Sequence, residues 1–154
     1  MVIGVLVTLF YASYTDLKTR TIPRYLPIIT YGFVAGYIFF AGKDPIVASI
    51  CFGFTFIAFL CVWGISWGQF GIGDVLILAG LGWMVADIAI LKAFLIVLGV
   101  MTIPYGLFMV FLYRKQAKFK KKYANERFAY PYMPLIFTVT MLYVLFPSIF
   151  ITLL

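Results

Sequence analysis

Polar residues are so sparse along this chain that its apolar runs can be counted one by one: about 1–15, 25–42, 45–67, 75–91, 93–113 and 129–152. Most approach the roughly 20 residues that a membrane-spanning helix needs. A membrane β-barrel would alternate in polarity over segments of about ten residues, and these runs are apolar on all sides. Helices are then the remaining way to satisfy the backbone in lipid. The pattern predicts an all-α integral membrane protein with six transmembrane helices. No repeat, linker or low-complexity segment divides it, so residues 1–154 read as one transmembrane domain.

Prolines punctuate the runs. Pro131 and Pro134 open the sixth, where a first-turn proline forfeits no hydrogen bond, and Pro104 falls inside the fifth, where it is expected to kink the helix. Lys18, Arg20 and Arg24 follow the first run rather than precede it, the reverse of a signal peptide. The first run is therefore expected to stay as a span.

Composition agrees with the pattern: 65% of residues are hydrophobic and 11% charged, which no soluble globular domain of this size could solvate. Charge adds the orientation. Across the seven segments between and beyond the runs, Lys and Arg number zero, three, one, zero, one, seven and zero, so alternate segments hold ten bases against two. The positive-inside rule puts the loops 16–24, 68–74 and 114–127 in the cytoplasm and both termini outside, an N-out/C-out topology. Tyr14, Tyr25, Trp67, Tyr113, Tyr130 and Tyr132 fall at the same cytoplasmic ends, where amphipathic rings prefer to sit. The basic loop from Arg114 to Arg127 reads as an anchor on anionic lipid headgroups, each base near the surface contributing on the order of 1 kcal/mol. Nucleic-acid binding has no aromatic-interleaved fold behind it.

Five acidic residues remain to be placed. Asp44 beside Lys43, Asp87 beside Lys92, and Glu126 in the basic loop read as ordinary interface charges. Asp16 and Asp74 each stand where an apolar run meets the cytoplasmic surface, at one membrane depth. Asp74 follows a glycine turn (Gly68, Gly71, Gly73) and could serve as the N-cap of its helix; Asp16 could mark the end of the first helix. Ionisable groups near hydrocarbon are costly, however, and point to function when a partner can be named. Here each names the other. Two such carboxylates suit aspartic protease chemistry, with one taking a proton from water while the other, protonated, donates to the scissile carbonyl.

Other chemistries find no residues. The chain has no His, which excludes Ser-His and Cys-His catalysis. Its two cysteines, Cys51 and Cys61, are ten residues apart in one run, about 15 Å of helical rise, too far for a disulfide. No metal and no cofactor are expected. The GIG of the glycine turn lacks the βαβ setting, the Lys and the hydroxyl of a nucleotide-binding loop.

"TDLKTRTIPR" followed at a distance by "FGIGDVLIL" resembles the paired signature of the GxGD membrane aspartyl proteases, the type IV prepilin peptidases and archaeal preflagellin peptidases. Asp16, Ile22, Pro23, Gly71, Gly73 and Asp74 match it, and "YPYMPLIF" resembles a proline-bearing segment of the family. Where the family often reads Ile-Pro-Asn this chain has Arg24, and where many bacterial members carry a Lys it has Leu76. Both departures point away from the bacterial prepilin branch, and no cysteine-rich cytoplasmic domain like that of the bifunctional bacterial enzymes is expected.

The resemblance implies catalytic Asp16 and Asp74 at the cytoplasmic face of a prokaryotic plasma membrane. It implies as substrate a pilin-like or archaellin-like precursor whose short basic leader is removed, without N-methylation. A rival reading is a small carrier in which the same two acids bind a cation or relay protons, though that would want acids near the bilayer midplane. A second rival is a scaffold subunit with no catalysis.

Overall fold

The computed structural model describes residues 1–19, 21–65, 71–115 and 131–152. Arg20, Trp67, Gly68, Tyr130 and the basic loop from 116 onward, with Glu126, lie outside them. The described residues form seven helices: α1 Val2–Thr19, α2 Tyr25–Phe40, α3 Pro45–Ile65, α4 Ile72–Val85, α5 Ile88–Lys115, α6 Met133–Leu145 and α7 Pro147–Thr152. Two of them, Pro45–Ile65 and the Ile88–Phe108 part of α5, are long and apolar enough to cross a membrane.

The helix boundaries have local causes, and some correct the sequence reading. Asp44 and Asp87, read as interface charges, also cap helices. Asp44 Oδ1 accepts the Ile46 amide at 2.8 Å, and Asp87 Oδ1 accepts those of Ala89 and Ile90 at 2.9 and 3.1 Å. The fourth run, expected to reach residue 91, stops at Val85, because Ala86 turns the chain with a left-handed φ of 47° and Asp87 starts α5 at once. The sixth run, expected to be continuous to 152, breaks at Phe146 ahead of Pro147, which has no amide to continue the ladder. Pro104 is accommodated inside α5.

The helix at the centre is α4. Ten of its 14 residues are buried, whereas α3, with 21, buries only Ala48, Cys51 and Thr55 and turns Ile46, Ile50, Phe54 and Ile57 outward. Packing around α4 is made by α3 and α2 above all, while α1 lies against α2 and α6, and α5 against α6 and α7.

Two glycines let the neighbours come this close. At Gly80 a Cβ would stand 2.7 Å from the Tyr31 ring, and in that notch the Tyr31 hydroxyl reaches the Leu76 carbonyl at 2.7 Å. At Gly82 a Cβ would overlap the Thr55 hydroxyl and lie 3.0 Å from the Cys51 carbonyl oxygen. Backbone cannot give way as a flexible side chain can, so this second notch is rigid.

Gly82→Ala is expected to destabilise the protein by about 1–3 kcal/mol through overpacking against α3. Gly53→Ala, with nothing within 4 Å of the new methyl, is expected to be neutral or to stabilise by about 0.5–1 kcal/mol through helix propensity. Thermal unfolding of the two variants in detergent would separate them; equal midpoints would show that α3 and α4 are not packed this closely.

Candidate active site

The last turn of α1 and the first turn of α4 each turn a carboxylate inward. Asp16 is 7% exposed and Asp74 6% exposed. They act on each other electrostatically, so the two residues paired from the sequence do converge. Neither sits quite as the local sequence suggested. Asp16 does not mark the end of its helix, since α1 continues to Thr19. Asp74 is not the N-cap of α4; that position belongs to Gly71, and Asp74, three residues on, reaches back so that its Oδ2 accepts the Gly71 amide at 3.1 Å.

The motif residues around them have separable jobs. A Cβ at Gly71 would stand 2.9 Å from Asp74 Oδ2, so a larger residue here would push the carboxylate from the place where it folds back over the turn. At Gly73 a Cβ would meet Ile22 Cβ at 3.1 Å and Cδ1 at 3.2 Å, which seats the segment before Pro23 directly on the first turn of α4. Pro23 then supplies the carbonyl that accepts the Leu26 amide at 3.0 Å, and α2 begins. The two halves of the sequence signature thus touch at Gly73 and Ile22.

Asp16 is met from a third part of the chain. Its Oδ2 accepts the amide of Met133, the first residue of α6, at 3.0 Å. That amide belongs to the unpaired first turn of a helix, where a carboxylate is favoured by both hydrogen bonding and the helix dipole. Asp74 Oδ1 is buried and takes no hydrogen bond among the described residues. Gly71 and Ile72 beside it are exposed.

The residues that sequence reasoning missed lie around Met133. Asp74 acts electrostatically on Tyr132, whose hydroxyl lies 2.8 Å from Thr102 Oγ1 on α5. One turn along α5, the Tyr105 hydroxyl donates to the Pro131 carbonyl at 2.6 Å. The only signal in the sequence was the proline-bearing segment itself; nothing in it named partners 26 to 30 residues away.

Chemically, two mutually repelling carboxylates withheld from water tend to share one proton, which lets them act as base and acid on a single reacting group. Cys51 and Cys61 on α3 are free thiols. No family model, no curated protein and no solved structure matches the chain.

Asp16→Ala is expected to cost about 1–3 kcal/mol of stability, because it leaves the buried Met133 amide without an acceptor. Asp16→Asn keeps an oxygen for that amide and removes the repulsion of Asp74, so it is expected to be at least as stable as the wild type. If calorimetry ranked Asn below Ala, the amide contact would not be what Asp16 contributes to the fold.

Proposed function

We propose that this protein is a membrane-embedded aspartic endopeptidase. The observation that carries the reading is the burial of Asp16 and Asp74, two carboxylates on helices far apart in sequence, within electrostatic range of each other. In the reaction, one ionised carboxylate takes a proton from water as its oxygen attacks the scissile carbonyl carbon. The protonated partner gives its proton to the carbonyl oxygen. Collapse of the tetrahedral species breaks the C–N bond, with a proton delivered to the leaving nitrogen, and the pair again holds one proton.

The setting we infer is six spans in a prokaryotic plasma membrane, with both termini outside and the site toward the cytoplasm. Outward apolar faces on α3 and α5, the distribution of bases between loops, and the Lys18 ammonium 5.7 Å from the Tyr14 ring centroid at the end of α1 support it. The substrate we propose, from the likeness of the motifs to those of prepilin and preflagellin peptidases, is a precursor with a short basic leader and a hydrophobic helix behind it. Membrane lipid is the other partner, through the basic loop.

Membranes containing the wild type are expected to convert a pilin-like precursor to a faster-migrating product. Asp16→Asn and Asp74→Asn are each expected to lower that conversion by about a thousandfold at unchanged protein level, within the range that removal of a general acid or base produces. Activity retained by either variant would take that Asp out of the chemistry. A wild type inert toward several precursors would favour the carrier or the scaffold.

A further inference from the structure

The Thr102 hydroxyl gives its proton to the Leu98 carbonyl at 2.8 Å, so its contact with Tyr132, also 2.8 Å, runs with the phenol as donor. Tyr132 is thereby fastened to α5, and Pro131 before it is fastened there too, through Tyr105. Thr102 and Tyr105 are three residues apart and share a face of α5. The two ties grip consecutive residues, and the next amide along the chain is that of Met133, the one bonded to Asp16. Tyr132 also opens α6: its carbonyl accepts the amides of Leu135 and Ile136 at 3.1 and 3.3 Å. Its ring meanwhile lies within electrostatic reach of Asp74.

We propose that Tyr132 is a positioning residue for the carboxylate pair: held by Thr102, it sets the Met133 amide against Asp16 and so fixes where Asp16 stands relative to Asp74. The role in catalysis rests on the endopeptidase reading; the tether itself does not. The carboxylates come from α1 and α4; the Met133 amide ties Asp16 to α6, and the Tyr132 hydroxyl ties the start of α6 to α5. A small displacement of Tyr132 would move Asp16 relative to Asp74, and misplacement of catalytic groups by about 1 Å can lower turnover by up to about a hundredfold.

Tyr132→Phe keeps the ring and removes the hydroxyl, and Thr102→Val keeps the shape and removes its acceptor. Each is expected to lower kcat on a pilin-like precursor peptide about tenfold with KM within about twofold of wild type, and the double variant is expected to lose no more than either alone. Amide hydrogen exchange at Met133 is expected to quicken in both variants while exchange at Met84, buried in α4, stays at the wild-type rate, which separates a local tether from general unfolding. Unchanged exchange at Met133, multiplicative losses in kcat, or faster exchange with wild-type kcat would each overturn the proposal. A wild type that cleaves no precursor, with Met133 exchange still responding to Tyr132→Phe, would sink the endopeptidase reading and reduce Tyr132 to a structural tie.

Discussion

A carboxylate taken out of water must be met by hydrogen-bond donors, and backbone amides at helix beginnings provide them here. Gly71, at the start of α4, offers its amide to Asp74, and Met133, at the start of α6, offers its own to Asp16. Those amides would otherwise be orphaned by the helix geometry, so one arrangement settles two costs of burial. It also dictates architecture. The beginnings of α4 and α6 and the end of α1 must come to one place, and the loops and packing of the bundle follow from that convergence.

The glycines of the site are best understood through the same constraint. Gly71 makes room for a carboxylate oxygen and Gly73 makes room for Ile22, so a spacing of two along the chain serves two different neighbours in space. Gly80 and Gly82, further along α4, do the equivalent for Tyr31 and Thr55. The helix is therefore fixed at both its polar start and its apolar middle, and Asp74 is held by the rigidity of the element it sits on as well as by its own hydrogen bond.

Much of this was legible in the sequence where a single residue type decides the outcome. Long apolar runs became helices, every proline but Pro104 fell at or near a helix start, and the two singular aspartates were brought together. The break between α4 and α5 was not legible, because the residue in the left-handed conformation is Ala86 rather than the glycine or asparagine that announces such a turn. That Asp87, read as an interface charge, would also give its oxygen to the helix start was not legible either. The role of Tyr132 was hidden for a different reason. A hydrogen bond between Tyr132 and Thr102 depends on how α5 and α6 are packed, and no local pattern encodes that.

The length of α4 bears on how a membrane would accommodate the protein. With 14 residues it rises about 21 Å, and from Val85 back to Asp74 only about 17 Å; Val2 to Asp16 on α1 rises about 21 Å. A hydrocarbon layer is about 30 Å thick. With the far ends of α1 and α4 at one surface, both carboxylates stop on the order of 10 Å short of the other. In the membrane setting proposed above, the bilayer would be pinched at this protein, or a wet indentation would descend into it from the proposed cytoplasmic side. If the endopeptidase reading holds, a substrate helix would meet the aspartates below the level of the surrounding headgroups, and would have to fray into extended chain to present a peptide bond to them.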